Sequence, residues 1–86
     1  NLSFDAYHSA YPNPVQDMMT IEMYGHTQRK VHISLVGLDG KLIDIGQIQL
    51  YQGLNKEIIN LKEYSVPAGV YFLKVDSKVA TKILKQ

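Results

Sequence analysis

The chain has 86 residues, with nine basic side chains, eight acidic side chains, three histidines and no cysteine. This length suits one small domain, and the lack of cysteine excludes a disulfide framework and a thiolate metal site. A formal net charge of +1 argues against an extended cationic surface for nucleic acid. No apolar run approaches the ~20 residues of a membrane-spanning helix, so we expect no membrane span. The N-terminal residues lack the features of a signal peptide, so any export signal is expected to lie upstream or to be the chain itself.

Short apolar segments that alternate with polar residues run through the chain, and glycines and prolines separate them at short intervals. Alternation with a period of two places the apolar residues on one face of a strand. Turn signals recur every ~8–12 residues, a spacing that is typical of a sandwich or a barrel. We therefore predict an all-β fold, a two-layer antiparallel sandwich. Its seven strands are predicted near residues 3–10, 18–24, 30–36, 42–50, 56–61, 69–76 and 79–85.

The connections between these strands carry recognisable turn chemistry. The first is a rigid corner, Tyr11-Pro12-Asn13-Pro14, in which both prolines fix φ. Residues 25–30 are predicted to form a polar loop. Asp39-Gly40 stands between apolar runs and is the strongest short hairpin signal in the chain. Further turns are predicted at residues 52–55, 66–69 and 76–78.

Two segments are compatible with either a helix or a strand. Leu54, Ile58 and Leu61 have a spacing that fits both, but the window is short and Pro67 closes it, so we favour a strand over residues 56–61. The tail at residues 78–86 has helix-forming residues, but it follows a reversal directly after a strong strand. A returning antiparallel strand is the simpler interpretation.

Candidate catalytic and metal-binding residues are sparse. The three histidines, His8, His26 and His32, match no local metal motif, and we expect His32 to face solvent. No serine stands in the Gly-x-Ser-x-Gly setting of a nucleophile. Asp39 is explained by its turn, and Asp44 is predicted to be solvated. The sequence therefore predicts no metal, no cofactor and no enzyme.

Six tyrosines leave two interpretations open. On a β scaffold, their rings could form a face that stacks on sugars, which would indicate a carbohydrate-binding or adhesive accessory module. Packing in the core and at strand edges is the favoured explanation in a chain without tryptophan. These tyrosines stand at positions 7, 11, 24, 51, 64 and 71.

Five fragments, taken in order, resemble a known family. They are Tyr11-Pro12-Asn13-Pro14, Thr20-Ile21, Leu38-Asp39-Gly40-Lys41-Leu42, Pro67-Ala68-Gly69-Val70-Tyr71-Phe72 and Lys82-Ile83-Leu84-Lys85. The ordered set resembles the type A C-terminal sorting domain of the type IX (Por) secretion system of the Bacteroidetes. The resemblance covers residues 9–86, and residues 1–8 are expected to be a linker or first-strand region from an upstream cargo protein.

The resemblance implies an immunoglobulin-like sandwich of about seven strands in two sheets. It also implies that the domain directs an attached cargo through the periplasm and across the outer membrane, to the cell surface or the medium. The implied partners are an outer-membrane translocon and a sortase-like protease that removes the domain. In this scheme the domain is a substrate rather than an enzyme.

Carried over onto this sequence, the family's Gly-x-Tyr motif corresponds to Gly69, Val70 and Tyr71, and its closing basic-apolar strand corresponds to Lys82, Ile83, Leu84 and Lys85. These residues are the candidates for recognition by the translocon. Gly69 and Tyr71 could equally be required by the fold, with Tyr71 facing inward. Lys82 and Lys85 are the stronger candidates, because exposed lysines contribute little to stability. One departure from the family pattern is that the acid of the hairpin, Asp39, directly precedes the glycine.

Overall fold

The computed structural model describes residues 6–86, and these form seven strands and one 3-10 turn. The first predicted strand began at residue 3, and residues 3–5 lie outside the described part. The strands are β1 (Ala6–Tyr11), β2 (Met18–Gly25), β3 (Arg29–Gly37), β4 (Leu42–Leu50), β5 (Gly53–Asn60), β6 (Gly69–Val75) and β7 (Lys78–Lys85). The 3-10 turn spans Leu61–Tyr64, between β5 and β6.

The strands form two antiparallel sheets, one with the order β1-β2-β5 and the other with the order β4-β3-β6-β7. Consecutive strands change sheet after β2, after β4 and after β5. Such crossovers between two packed sheets are typical of Greek-key sandwiches. The prediction of an all-β, immunoglobulin-like sandwich of seven strands is confirmed.

The core lies between the inner faces of the two sheets. The alternating residues of β2 and β3 that were predicted to share a face are buried, with at most 1% of each exposed. On β6, Tyr71 and Leu73 are buried, whereas Val75 is only half-buried. These side chains exclude water from the space between the sheets, which is the main stabilising term for a domain without disulfides. The six inner residues of β2 and β3 are Met19, Ile21, Met23, Val31, Ile33 and Leu35.

Asparagine side chains decide where β5 begins and ends. The prediction of a turn over residues 52–55 is wrong, because pairing with β2 starts at Gly53. Asn55 Oδ1 accepts a hydrogen bond from Tyr51 N–H at 2.9 Å, and Asn55 Nδ2 donates to Tyr51 O at 2.8 Å. These bonds close the connection after β4 within two residues. At the other end of β5, Asn60 Oδ1 accepts from Lys62 N–H at 3.1 Å and caps the 3-10 turn. Leu61, which was predicted to end the strand, therefore lies in that turn.

The other boundaries agree with the predictions to within one or two residues. The loop predicted over residues 25–30 is shorter, because β2 extends to Gly25 and β3 begins at Arg29. The tail is a strand, β7, antiparallel to β6, as predicted. The reversal between them consists of Asp76, with φ of 57°, and Ser77.

The connections alternate between two ends of the sandwich. We call one the motif end: it holds residues 12–17, 38–41 and 61–68 and the last residues of β7. The far end holds residues 26–28, 51–52 and 76–77 and the first residue of β1. The two sheets are joined at the motif end, where Val15 forms a parallel bridge with Lys85. The connections alternate between the two ends because neighbouring strands are antiparallel throughout both sheets.

Candidate functional site

Four of the five family-like fragments meet at the motif end. The rigid corner follows β1, the Asp39-Gly40 hairpin follows β3, the Gly-x-Tyr motif opens β6, and the basic-apolar segment closes β7. The fifth fragment, Thr20-Ile21, lies within β2, where Ile21 is fully buried. Fragments spread from residue 11 to residue 85 therefore share one end of the molecule.

The corner between β1 and β2 covers the outer edge of β7. Asn13 Nδ2 donates to Lys82 O at 3.1 Å, and Leu84 N–H donates to Asn13 Oδ1 at 3.0 Å. Next along the edge, Val15 N–H donates to Leu84 O at 2.8 Å, and Gln86 N–H donates to Val15 O at 2.8 Å. Val15 is fully buried, and the peptide bonds before Pro12 and Pro14 are cis. The corner thus supplies partners to backbone groups that an edge strand otherwise leaves open.

Tyr71 forms a tyrosine corner at the start of β6. Its side chain is 7% exposed, and its hydroxyl donates a hydrogen bond to Pro67 O at 2.7 Å. A tyrosine near the start of the sixth strand that bonds to backbone a few residues upstream is a hallmark of immunoglobulin-like sandwiches. Burial, and then the negative charge of Asp39, raise the pKa of Tyr71 above its usual value. Tyr71 faces inward as predicted.

Two glycines surround the Tyr71 ring. Gly69 has φ of +150°, in a region that is almost restricted to glycine. Gly37 is paired with Tyr71 across β3 and β6, and a β-carbon on Gly37 would lie 3.6 Å from the ring and 3.0 Å from Asp39 Oδ1. The Gly-x-Tyr motif therefore has a full structural explanation in this fold.

The predicted hairpin at Asp39-Gly40 is confirmed. Lys41 N–H donates to Asp39 Oδ1 at 2.9 Å, and Gly40 adopts φ of +86°. Two backbone bonds close the turn, from Gly37 N–H to Lys41 O and from Gly40 N–H to Gly37 O. An open groove of about 370 Å³ separates this hairpin from the segment Pro67–Tyr71.

The closing segment of β7 presents its four residues in different directions. Ile83 is 2% exposed and packs in the core. Lys82 is exposed and Leu84 is 42% exposed, both on the outer face of the four-stranded sheet. Lys85 is half-buried, and its Nζ donates to Gln86 O at 2.6 Å. Val70, opposite Leu84 in register, is half-buried as well.

No group of three or more metal-ligating side chains occurs among residues 6–86. His32 is partly exposed, as predicted, and its Nε2 lies 2.6 Å from Asp44 Oδ1. The side chain of His8 lies outside the part of the chain that the structure describes. Within residues 6–86, no helix is long and apolar enough to cross a membrane.

The tyrosines do not share one face. Tyr71 is buried, Tyr7 and Tyr64 are partly buried against the core, and the other three are exposed. Tyr11, whose hydroxyl donates to Glu22 Oε2, and Tyr24 lie on the three-stranded sheet, whereas Tyr51 lies in the connection after β4. This distribution matches packing in the core and at edges and offers no support to a sugar-binding face.

A family model described as secretion system C-terminal sorting domain matches residues 9–86. The chain belongs to this family. No curated protein and no solved structure matches the chain. Membership confirms the resemblance seen in the sequence: a sorting signal of the type IX secretion system, which implies a Bacteroidetes source. It implies a secreted or cell-surface protein whose sorting domain is attached to cargo and interacts with the secretion machinery, and the family is not one of enzymes.

Sequence reasoning missed the contact between Asn13 and β7, and with it the meeting of the fragments at one end. Strand parity was the available signal: the corner, the hairpin and the Gly-x-Tyr motif all follow odd-numbered strands, and the last fragment ends the seventh. In an antiparallel sandwich those positions fall at one end.

Proposed function

We propose that this sorting domain directs its cargo across the outer membrane because the type IX translocon recognises the motif end. One observation carries the proposal: fragments that are far apart in sequence lie together at that end, held by the bonds of Asn13 to Lys82 and Leu84, which are 69 and 71 residues away. Fold maintenance explains Gly69 and Tyr71, but it does not explain Lys82, which has no ion-pair partner among the described residues. The recognition residues proposed are Gly69, Val70, Tyr71, Lys82, Ile83, Leu84 and Lys85, with the exposed ones making the contact.

The position of the cargo fits this proposal. β1 begins at the far end, where Ala6 is paired with Tyr24. A cargo protein attached before β1 would therefore approach the far end of a molecule whose longest dimension is 34 Å. The motif end then remains accessible to the translocon. In this proposal the cargo reaches the translocon through the periplasm.

We further propose that a sortase-like protease removes the domain after export. A protease binds its substrate as an extended, unpaired segment, and the ladder from Ala6 onward is already bonded to β2. We place the cut before residue 6, within the region of residues 1–8 that the sequence indicates as linker. In this scheme the domain is the substrate of the protease.

A secretion assay tests the proposal. Residues 1–86 are fused behind a folded reporter with a signal peptide and expressed in a Bacteroidetes strain with an active type IX system. We expect the reporter at the cell surface or in the medium, and in the periplasm when the translocon gene is deleted. Lys82→Ala and Lys85→Ala should reduce export without changing the melting temperature, whereas Lys30→Ala, an exposed lysine near the far end, should not. Periplasmic retention of the unmodified fusion would overturn the proposal.

A further inference from the structure

The outer face of the four-stranded sheet carries a continuous apolar patch at the motif end. Leu42, Val36, Phe72 and Lys82 are paired in register across all four strands. One step closer to the end, Val70 is paired with Leu84. Their neighbours Leu35, Tyr71 and Ile83 face the core, so the paired residues face outward. We call these six residues the cross-strand patch: Val36, Leu42, Val70, Phe72, Lys82 and Leu84.

This patch differs from an ordinary solvent-facing sheet surface. The outer face of an antiparallel sheet is normally polar when water covers it. Here Leu42 is 56% exposed and Leu84 42% exposed, and no element among residues 6–86 packs over them. Contiguous apolar residues at a surface mark interaction sites. The outer face of the three-stranded sheet also exposes apolar side chains, but a polar row with Lys56 Nζ 3.8 Å from Glu22 Oε2 divides them. They are Met18, Tyr24, Leu54 and Ile58.

Lysines outnumber carboxylates around the patch. Lys82 is part of it, Lys74 stands in the next row beside Ser34, and Lys41 precedes Leu42. Lys74 and Lys82 have no ion-pair partner among the described residues. Two carboxylates lie nearby: Asp39 accepts from the Lys41 N–H, and Asp44, paired in register with Ser34, lies against His32. The patch therefore offers apolar area beside an excess of positive charge.

We propose that the cross-strand patch binds a protein surface of the secretion machinery in which apolar side chains are flanked by carboxylates. This inference rests on the proposed function and assigns its contact to a definite face. That face includes Val36, Leu42 and Phe72, which are not among the recognition residues proposed above. Apolar burial supplies most of the affinity in such an interface, and the lysines supply orientation and discrimination between partners. The patch lies on a sheet face rather than in a pocket, so it fits another surface and not a small molecule.

A competition assay tests this face. Residues 1–86 exported to the periplasm without cargo should saturate the translocon and lower export of the reporter fusion. Leu84→Ser and Lys82→Glu should each weaken competition at least about tenfold, as expected for the loss of a central contact. Ile58→Ser and Lys30→Glu are matched controls at exposed positions elsewhere, and both should compete like the unmodified chain. Equal melting temperatures would show that every variant is folded.

Crosslinking identifies what contacts the patch. A photoreactive benzophenone amino acid at position 84 should form an adduct with an outer-membrane protein of the secretion system, and the same group at position 58 should not. Binding to phosphatidylglycerol vesicles that is lost in Lys82→Glu, without a protein adduct, would indicate a lipid surface and overturn the proposal. Normal export and competition by the patch variants would also overturn it, and with it the role of Lys82 and Leu84 in recognition, whereas export of the unmodified fusion would still support a sorting signal. Retention of the unmodified fusion would overturn both.

Discussion

Asn13 and Leu84 are 71 residues apart in the chain and are joined by a hydrogen bond of 3.0 Å from the Leu84 N–H to Asn13 Oδ1. The same carboxamide donates to Lys82 O, so it pairs with the β7 edge as a backbone peptide group would. The carboxamides of asparagine and glutamine carry a donor and an acceptor in the planar arrangement of a peptide group. The rigid corner and the closing strand, which look independent in the sequence, are one structural unit.

Replacing Asn13 with alanine should loosen the end of β7. Two hydrogen bonds are lost at an exposed edge, and we expect unfolding free energy to fall by about 1–2 kcal/mol. Urea denaturation measures this loss, and hydrogen exchange should accelerate at the Leu84 amide. Gln52→Ala, at an exposed position without a side-chain hydrogen bond, is the control and should be neutral. An unchanged exchange rate at Leu84 would show that the corner does not hold the edge.

Removing the hydroxyl of Tyr71 should destabilise the fold, because the Pro67 carbonyl loses its hydrogen-bond donor. In Tyr71→Phe the Pro67 oxygen loses its partner, at an expected cost of about 1–2 kcal/mol. Tyr71→Ala removes the buried ring as well and should cost about 3–5 kcal/mol. Tyr51→Phe, at an exposed tyrosine, should change the melting temperature little. Equal effects of the two phenylalanine variants would contradict a tyrosine corner.

Stability should fall at alkaline pH because of the same residue. The pKa of Tyr71 is raised above 10.0 in the folded state, by burial and then by Asp39, so folding favours the neutral phenol. This stabilisation is complete below pH 10 and is lost as the pH rises from 10 through the folded-state pKa. Unfolding measured from pH 8 to pH 11 should show a shallower decline for Tyr71→Phe than for the unmodified chain. Burial also raises the pKa of Tyr7, which should sustain part of the decline in that variant.

Local sequence patterns predicted most of this fold. The features that they did not predict depend on side-chain hydrogen bonds and on contacts between distant residues. Alternation located the strands because it records which residues face the core, and Asp39-Gly40 located a hairpin because that turn needs only its own residues. The start of β5 was misplaced because Asn55 closes the preceding connection with its side chain, which hydropathy does not show. Asn13 appeared to be a turn residue, since its partners on β7 are brought near only by the topology.

The sequence predicted which residues belong to the candidate site, but it did not predict which of them share a surface. Lys82 and Leu84 were chosen from the family resemblance, and the structure places both on the outer face. Ile83 was chosen with them although it is buried, because a contiguous motif in a strand necessarily includes residues of both faces. Phe72 could not be assigned to the patch before the register between β3, β6 and β7 was known.

The reversal between β6 and β7 offers a test of how one side chain supports a strained turn. Asp76 has φ of 57°, its Oδ1 accepts from the His32 N–H at 3.0 Å, and its other oxygen lies 3.3 Å from Arg29 Nη2. Asp76→Asn keeps an oxygen acceptor and the tolerance of positive φ, and it loses only an exposed ion pair, so we expect a change within about 0.5 kcal/mol. Asp76→Ala loses the acceptor and that tolerance and should cost about 1–3 kcal/mol. Ser77→Ala, at the neighbouring exposed position, controls for the turn itself. Urea denaturation ranks the three variants, and a loss in Asp76→Asn equal to that in Asp76→Ala would assign the stabilisation to the charge instead.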